Sequence, residues 1–481
     1  MHSPSGNSLS LESGVQLYMG GTGGLERFRY HPRNRKFFHI KIIDFPDKER
    51  YLPNKSIGFF AMSPERTFDR HRWFVFTVFS AIYFLVYFHR VSTSVIAPDL
   101  LAAFETNATG LGLMSSMYFY IYAFEQPLVG HLSDVLGARR VVGFWSIVAA
   151  LGCLLFGMAP NIGWAAAGRA LIGFGVGGVF VPAMKGFSQW FPKRDLGVMT
   201  GCLIAVGNTG AMVATTPLAW LASSWGWRKT FFVIGALTLA LSLVALFFVR
   251  DPAKNQDQSF TGQEQLSESS PIRVLASARF WIFALIFFGV FGGVISLQGL
   301  WATPFLMSVL VLDRHCASLL NMAIPLGYAL GAPFFGLLGD RVFTNRIDLI
   351  LTLLIVLTGS WLALTFAGGA LGIGGMIVVL AFLGGVAGGL GTNLWATVIQ
   401  ITPQPMLGSV TGFLNPFPLL GMAVMQGLTG AVLDHTGKID GIYPPEAYRD
   451  AFALCLAAAL LCLVICVATR KRLLQSKRGH L

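Results

Sequence analysis

The sequence has little charge, and this shortage excludes most classes of soluble protein. Asp, Glu, Lys and Arg make up 12% of the 481 residues, whereas a soluble protein has about 25%. Cysteine is scarce as well: the six Cys lie at spacings that suit no metal ion, and the nine His are scattered. We therefore expect no metal site and no cofactor.

The motifs of common enzyme classes are missing too. The chain contains no phosphate-binding loop, no HExxH zinc motif and no GxSxG nucleophile elbow. The net charge of +12 is not gathered on one basic face, because twelve of the 35 Lys and Arg precede Trp73 and five follow Thr469. The sequence therefore predicts neither an enzyme, nor ATP hydrolysis, nor nucleic-acid binding.

Long apolar runs are what the chain does have. Hydrophobic residues make up 54% of it, and a helix needs about 20 predominantly apolar residues to cross ~30 Å of hydrocarbon. Twelve runs reach this length, at residues 73–97, 111–133, 141–159, 162–189, 196–222, 230–249, 280–308, 317–339, 348–367, 372–400, 407–432 and 450–469. They predict an all-α integral membrane protein with twelve transmembrane helices, in which the 55 Gly allow close packing.

The charges of the loops predict the orientation. If the N-terminus is cytoplasmic, 27 Lys and Arg lie on that side of the membrane and five on the other, namely Arg228, Lys229, Arg314, Lys438 and Arg449. An excess of positive charge is typical of cytoplasmic loops. We therefore expect a multi-pass protein of the cell (inner or plasma) membrane with both termini in the cytoplasm.

One long polar stretch divides the apolar runs into two sets of six. Residues 253–279 separate the sixth run from the seventh, which predicts two six-helix bundles, at 73–252 and 280–469, joined by a cytoplasmic linker. Residues 470–481 are predicted to form a basic cytoplasmic tail.

The segment before the first run has a different character. Residues 1–72 match neither a signal peptide nor a regular amphipathic helix, so we expect a disordered cytoplasmic extension. Met62, which precedes an ordinary short lead into the first helix, is an alternative start of translation.

The two bundles repeat the same patterns. YAFEQPLVGHLSD at 122–134 and YALGAPFFGLLGD at 328–340 share six of thirteen residues, and LGVMTG at 196–201 resembles LGSVTG at 407–412. The second predicted helix thus repeats as the eighth, and the fifth as the eleventh. Parallel repeats of this kind commonly hold a substrate site at their interface, near the middle of the membrane.

The loops that follow these repeats resemble a known family. GHLSDVLGARR at 130–140 is similar to the signature between helices 2 and 3 of the major facilitator superfamily, GLLGDRVFTNR at 336–346 to its second-half counterpart, and RALIGFGVG at 169–177 to the helix 4 signature. The resemblance extends over about residues 73–472. It implies two pseudo-symmetric halves that rock against each other, with gating or structural residues Gly130, Asp134, Gly137, Arg139, Arg140, Arg169, Gly336, Asp340, Arg341 and Arg346.

Within that superfamily the chain resembles the permeases for organic anions and sugar phosphates. The similar stretches are YFHRVSTSVIAPDL, VPAMKGFSQWFPKRD and SSWGWRKTFF. Two departures occur: Val135 and Ala138 replace basic residues of the first loop signature, and helix 7 lacks the Arg that organophosphate antiporters place opposite an Arg of helix 1. The resemblance therefore favours an organic anion over a phosphate ester.

Five ionisable residues lie at least four residues from the ends of the predicted helices, all in the first bundle: His89, Arg90, Glu125, Arg169 and Lys185. A charge at the centre of a bilayer costs about 2.5–3.5 kcal/mol even on the most lenient scale, so each residue needs a partner or a function. The resemblance implies that Arg90 contacts the substrate, and its planar guanidinium suits bidentate binding of a carboxylate. The alternative is a structural ion pair.

Glu125 stands where the second copy of the repeat has Gly331. It follows Tyr118 and Tyr122 at the spacing i, i+4, i+7, which puts the three side chains on one face of a helix. A buried carboxyl group there is a candidate proton-coupling site, and His89 is a second candidate. The alternative, which the sequence favours, is a buried ion pair between Glu125 and Lys185.

The remaining candidates are ligands for the substrate. The resemblance implies Lys185 as an anion ligand, and snorkelling of its ammonium group to the interface is the alternative. Tyr118 and Tyr122 in the first bundle are polar candidates, as are four residues of the second bundle: Gln298, Trp301, Tyr328 and Asn393. Most polar residues of this kind hold helices together instead.

These features predict a secondary active transporter that moves a small organic anion, such as a carboxylate or a sugar acid, by alternating access. We expect a monomer in the lipid bilayer whose partner is the substrate, with symport of protons as the coupling hypothesis. Two alternatives stay open: a transporter-like membrane sensor that binds a small ligand, and a carrier of peptides or neutral solutes.

Overall fold

The computed structural model describes residues 9–11, 15–17, 64–192, 195–251, 274–275, 277–343, 345–402, 406–439 and 441–474. The chain divides into two units, Met1–Ala61 and Met62–Leu481. In the first unit, strands β1 (Leu9–Leu11) and β2 (Val15–Leu17) pair antiparallel. Most of the extension predicted at 1–72 and of the linker predicted at 253–279 lies outside the described residues, as does the end of the basic tail, and these assignments stay predictions.

Residues 64–251, called the first half below, fold into helices only. In chain order they are α1 (Pro64–Ala103), α2 (Ala108–Leu136), α3 (Ala138–Met158), α4 (Ile162–Gly177), α5 (Phe180–Trp190), α6 (Leu196–Val213), α7 (Thr216–Trp225) and α8 (Trp227–Phe248). The pairs α4–α5 and α6–α7 are each separated by two residues. The second break precedes Pro217 in the first turn of α7, where proline has no N–H to donate to a preceding turn.

Residues 277–474, the second half, repeat this plan. Their helices are α9 (Ala278–Ser296), α10 (Ala302–Val309), α11 (Arg314–Asn321), α12 (Ala323–Arg341), α13 (Arg346–Ala367), α14 (Gly372–Ile401), α15 (Leu407–Leu414), α16 (Pro416–Thr436) and α17 (Pro445–Leu474). A π-helical turn, Leu297–Trp301, joins α9 directly to α10.

The helices are long enough to span a membrane. Eleven helices of the described part, counted with short breaks included, are sufficiently long and apolar to cross one. The remaining long helix is α2, whose 29 residues reach ~43 Å at 1.5 Å per residue, although Glu125 and Gln126 make it less apolar. The predicted all-α membrane fold with twelve crossings is confirmed.

The contacts between helices repeat from one half to the other. In the first half α2 and α3 both pack on α4, and α1 packs on α6; in the second half α12 and α13 both pack on α14, and α9 packs on α16. The halves meet through α2 against α16 and through α6 against α12. These two contacts are related by the repeat, because α2 corresponds to α12 and α6 to the segment α15–α16. The structure therefore has the two pseudo-symmetric halves that the sequence repeats predict.

Glycines set the closest of these contacts. A Cβ atom on Gly331 of α12 would lie 2.2 Å from the carbonyl oxygen of Gly385 on α14, and one on Gly112 of α2 would lie 2.4 Å from the carbonyl oxygen of Gln426 on α16. Small residues let helix backbones approach in a membrane, where van der Waals packing drives helix association. At Gly331 the backbones of α12 and α14 leave no room for a side chain, whereas the equivalent position of the first half holds Glu125.

Candidate functional site

Arg90 lies among five tyrosines. The guanidinium carbon of Arg90 lies 4.4 Å from the ring centroid of Tyr87 on the same helix, α1. Arg90 also interacts electrostatically with four further tyrosines: Tyr83 of α1, Tyr118 and Tyr122 of α2, and Tyr328 of α12. We call these five residues, Tyr83, Tyr87, Tyr118, Tyr122 and Tyr328, the tyrosine cluster.

Regular helix geometry builds this cluster from two similar patterns. Tyr83, Tyr87 and Arg90 follow the spacing i, i+4, i+7 on α1, just as Tyr118, Tyr122 and Glu125 do on α2, so each set occupies one helix face. The ring centroids of Tyr83 and Tyr87 are 5.3 Å apart in an edge-to-face arrangement, a geometry that aromatic pairs favour.

The cluster joins the two halves. Tyr122 and Tyr328 occupy the same position in the two copies of the sequence repeat, and both interact with Arg90. The hydroxyl of Tyr118 donates to the carbonyl oxygen of Val86 at 3.0 Å, which fixes α2 against α1. The structure thus brings together four of the predicted ligand residues, Arg90, Tyr118, Tyr122 and Tyr328. Sequence reasoning missed Tyr83 and Tyr87, although their spacing from Arg90 was available to find them.

Arg90 and Arg169 have different surroundings. Arg169 is fully buried; it donates to the carbonyl oxygen of His89 at 3.0 Å, and its guanidinium carbon lies 4.9 Å from the ring centroid of Tyr118. Arg90 is half-buried, its Nε has no hydrogen-bond partner, and within the described residues it forms no ion pair with a carboxylate. Two nitrogens of Arg169, Nε and Nη2, also have no hydrogen-bond partner, but Arg169 has no exposed surface. What distinguishes Arg90 is that it is half-buried, so a substrate can reach it.

Glu125 has an unexpected partner. Its Oε2 accepts a hydrogen bond from the indole Nε1 of Trp145 on α3 at 3.1 Å, and its Oε1 is buried without a partner. The ion pair with Lys185 that the sequence favours is wrong. Lys185 binds Asp134 instead, with 2.5 Å between Nζ and Oδ1, and donates to the carbonyl oxygen of Ser133 at 2.8 Å.

Lys185 does not reach Glu125 because the two residues lie at different heights along their helices. Gly177 is the residue of α4 that faces Glu125, because a Cβ atom there would coincide with the carboxyl group. Lys185 follows Gly177 by eight residues, which is ~12 Å along a helix axis. Its ammonium group therefore reaches the loop-end carboxylate of Asp134 rather than the middle of α2.

His89 lies apart from Glu125. It is fully buried, and its Nε2 is 3.6 Å from the Sγ atom of Cys153. Its ring also lies 6.2 Å, centroid to centroid, from that of Phe231. The two candidate proton sites are thus held by different neighbours, and the role of each stays a prediction.

Three predicted ligands of the second half make contacts within the protein. Trp301 is fully buried and donates from Nε1 to Thr429 at 2.8 Å. Asn393 accepts from Arg346 at 3.0 Å and donates to the carbonyl oxygen of Phe335 at 3.0 Å. Gln298 is buried in the π-helical turn. These contacts favour the alternative that such residues hold helices together.

The loop signatures form contacts within each half. Besides the pair of Lys185 with Asp134, Asp340 forms an ion pair with Arg346, and the backbone N–H of Arg139 donates to Asp251 at 3.2 Å. Gly137 has a φ of +84°, which permits the sharp turn between α2 and α3 and favours glycine. Arg140 and Arg341 are exposed, Gly130 is half-buried and Gly336 is buried. We call this end of the molecule the Asp134 end.

Contacts between the halves gather at the opposite end, which we call the Asp434 end. Arg314 and Asp99 form a bidentate ion pair with N–O distances of 2.6 and 2.7 Å. The carboxylate of Asp434 accepts from the backbone N–H groups of Ala108 and Thr109, at 2.9 and 2.7 Å. Because these residues come from different halves, the contacts close this end.

No group of His, Cys, Asp and Glu suited to a metal ion occurs among the described residues. What the site offers is a cation with hydrogen-bonding tyrosine hydroxyls, and beside it a buried carboxyl group. A guanidinium group binds the oxygens of carboxylates bidentately, and tyrosine hydroxyls both donate and accept hydrogen bonds. This arrangement can bind an anion reversibly.

Known proteins with similar sequences include several transporters and a membrane sensor protein of Salmonella typhimurium, which is 23% identical over 73% of this chain and 83% of that protein. The chain is 25% identical to the probable sulfoacetate transporter of Cupriavidus necator, over 77% of this chain and 89% of that protein. It is 22% identical to the hexuronate transporter of Bacillus subtilis, over 74% and 87% of the two chains. Among solved structures, the fold resembles that of a bacterial homologue of the human lysosomal transporter Spinster in an inward-facing and unoccupied conformation. The TM-score is 0.69, and the two chains are 15% identical over 86% of this chain and 99% of that one.

The sequence profile of the Major Facilitator Superfamily matches residues 79–312 and 296–479, which together include nearly all of both halves. The fold, the repeated halves and the transporter relatives agree with this match. The chain belongs to the Major Facilitator Superfamily, a family of multi-pass membrane transporters.

Proposed function

We propose that this protein is a secondary transporter of a small organic anion, with Arg90 and the tyrosine cluster as its binding site and Glu125 as its proton-coupling group. The observation that carries the proposal is the position of Arg90. It is the one residue that brings a half-buried positive charge, without a carboxylate partner among the described residues, to tyrosines of both halves. A buried charge needs compensation, and an anionic substrate supplies it.

The charge of the site favours an anion with a single negative charge. The ammonium group of Lys185 is neutralised by Asp134, and the guanidinium of Arg169 is fully buried against His89 and Tyr118. Because Arg169 has no exposed surface, the half-buried Arg90 is left as the cation that a substrate can reach. A monocarboxylate matches one guanidinium, whereas a doubly charged phosphate ester would leave one charge uncompensated in a medium of low dielectric. Both relatives are named for organic acids: hexuronate carries one negative charge and fits this expectation, whereas sulfoacetate carries two.

The contacts between the halves support alternating access. With both termini in the cytoplasm, the Asp434 end faces the outside and is closed by contacts such as that of Arg314 with Asp99. At the Asp134 end, the ion pairs of Lys185 and Arg346 each lie within one half. Separating the halves at the Asp434 end and joining them at the other exposes the Arg90 site to the opposite side of the membrane.

Uptake into proteoliposomes tests the proposal. Radiolabelled galacturonate, with one negative charge, and sulfoacetate, with two, would be presented at an acidic outside pH. Glucose 6-phosphate and glucose are the phosphate-ester and the neutral comparison. We expect accumulation of at least one organic acid, driven by the pH gradient and lost in Arg90→Ala. Binding of an acid without uptake would instead favour the sensor, and uptake of glucose alone would favour a carrier of neutral solutes.

A further inference from the structure

The carboxyl group of Glu125 occupies a space that two glycines leave open. A Cβ atom on Gly177 would coincide with the Oε1 atom of Glu125, and one on Gly178 would lie 2.2 Å from the indole ring of Trp145. Both glycines lie where α4 ends before α5 begins. Any larger residue at either position would displace the carboxyl group or the indole. The backbone at the end of α4 therefore makes room for side chains of α2 and α3.

The indole of Trp145 is itself held in place. Its ring stacks on that of Phe174, with the centroids 5.4 Å apart and the planes at 15°. From this position its Nε1 donates to Oε2 of Glu125 at 3.1 Å. An indole N–H donates a hydrogen bond but does not accept one, and it does not titrate near neutral pH. The hydrogen bond therefore restrains Oε2 and leaves Oε1, which has no partner, as the oxygen that can take a proton.

Other polar groups near Glu125 are engaged elsewhere. Tyr122, one turn away on α2, is the titratable group that interacts with the carboxyl group. The amide of Gln126 donates to the carbonyl oxygen of Gly177 at 3.3 Å and accepts from Asn415 at 3.3 Å. Lys185 is paired with Asp134. On α3 and at the α4–α5 break, the neighbours of the carboxyl group are the Trp145 indole and the Gly177 backbone, neither of which is charged.

We infer that Trp145 is the positioning residue of the Glu125 site: it orients the carboxyl group and sets the pH at which Glu125 takes up a proton. A hydrogen bond from an N–H group to a carboxylate favours the charged form. Without the indole donor, Glu125 would hold its proton to a higher pH. The inference rests on the proposed coupling role of Glu125, and it deepens that role by naming the group that tunes it.

Infrared difference spectra recorded between acidic and alkaline buffer test the inference without any substrate. The full-length protein in lipid would be compared with three variants: Glu125→Gln, Trp145→Phe and, as a matched control, Trp220→Phe, since Trp220 is exposed on α7. The band of the protonated carboxyl C=O should be present in the unchanged protein and absent in Glu125→Gln. In Trp145→Phe we expect it at a higher frequency, because its C=O loses a donor.

The titration midpoint of that band gives the second readout. Loss of a hydrogen bond to a charged group should raise the midpoint by about one to two pH units in Trp145→Phe, and Trp220→Phe should leave it unchanged. If the band keeps its frequency and midpoint in Trp145→Phe, the inference is overturned. If Glu125→Gln removes no band, Glu125 does not titrate, and the inference is overturned as well.

A second variant covers the case in which Trp145→Phe fails to fold. Gly177→Ala places a methyl group where the carboxyl group lies, so the band should also shift, whereas Gly359→Ala, at an open position of α13, should not shift it. An unshifted band in a folded Gly177→Ala protein would contradict the described geometry. Transport is measured separately: pH-driven uptake with an unshifted band refutes only the role of Trp145, and a shifted band without uptake refutes only the proposed transport.

Discussion

Asp434 at the end of α16 binds Thr109 in the first turn of α2, and the two residues belong to different halves. The backbone N–H of Thr109 donates to Oδ2 of Asp434 at 2.7 Å, and its hydroxyl donates to the same oxygen at 2.5 Å. The free N–H groups and the positive end of the helix dipole favour a carboxylate at this place. The second half thus supplies a cap for a helix of the first.

Tyr443 completes this contact. Its hydroxyl donates to Oδ1 of Asp434 at 2.5 Å. Burial and the hydrogen bond to Asp434 raise the pKa of Tyr443, so that its hydroxyl stays neutral and remains a donor at physiological pH. We therefore expect Asp434 to contribute strongly to closure of this end.

The first prediction concerns Asp434→Asn. The substitution removes the negative charge that the N-terminus of α2 favours. Each hydrogen bond to a charged group contributes about 1.5–3 kcal/mol, so the closed arrangement should be less stable and the halves should separate more often at this end. Spin labels on the exposed residues Glu105 and Ile439, in a background where the exposed Cys202 and Cys316 are Ser, would report the distance. We expect a longer distance to gain population. Asp450→Asn, in an exposed pair with Arg449, should leave the distribution unchanged, and an unchanged distribution in Asp434→Asn would contradict the prediction.

The second prediction concerns Arg90→Lys. Lysine keeps the charge but loses the planar guanidinium fork, so binding of the organic acid should weaken by about tenfold to a hundredfold. Thermal stabilisation of the purified protein by the transported acid measures this loss, since a ligand stabilises by mass action. Arg449→Lys, exposed near the start of α17, is the matched control. Equal stabilisation of Arg90→Lys and the unchanged protein would exclude Arg90 as the ligand.

The third prediction separates binding from coupling. Glu125→Gln removes the proton site but preserves size and most polarity, so accumulation driven by a pH gradient should cease. Exchange of labelled for unlabelled substrate needs no net proton movement and should persist. Both rates are measured in proteoliposomes, with Glu446→Gln, at an exposed position of α17, as control. Loss of exchange together with accumulation in a stable Glu125→Gln protein would argue against a coupling role.

The fourth prediction concerns stability of the second half. In Gly331→Ala the new methyl group would lie 2.2 Å from the backbone oxygen of Gly385, and backbone atoms cannot move aside at little cost. We expect a loss of about 1–3 kcal/mol from the overpacked α12–α14 contact, seen as a lower melting temperature in detergent. Gly359→Ala introduces the same methyl group at an open position and should not destabilise. Equal melting temperatures for the two variants would refute this packing argument.

The fold and part of the site were predictable because they depend on local patterns. Apolar runs determine the crossings, and the two copies of the repeat determine which helices correspond. Arg90, Tyr122 and Tyr328 come together because each lies at a repeated or mid-helix position facing the interface between the halves. Helix periodicity shows which residues share a face, and here this information was sufficient.

The neighbours of Glu125 were not predictable in the same way. Lys185 is eight residues beyond Gly177, the position that faces Glu125, which is ~12 Å along a helix axis. The depth in the membrane inferred from the sequence was too coarse to show this separation. The contact with Trp145 depends on the rotation of α3 relative to α2 and on the space left by Gly177 and Gly178. Both are properties of packing between helices, which a single sequence does not encode in any local pattern.

The uneven distribution of charge between the halves has a mechanical consequence. His89, Arg90, Glu125 and Arg169 all belong to the first half, and Tyr328 contributes a neutral hydroxyl to the cluster from the second. In the proposed alternating access the halves rotate as rigid bodies, so these four groups travel together and keep their mutual distances. The proposed motion would therefore do little work against the interactions among these four groups. The binding energy of the proposed substrate and proton would remain available to select one of the two orientations.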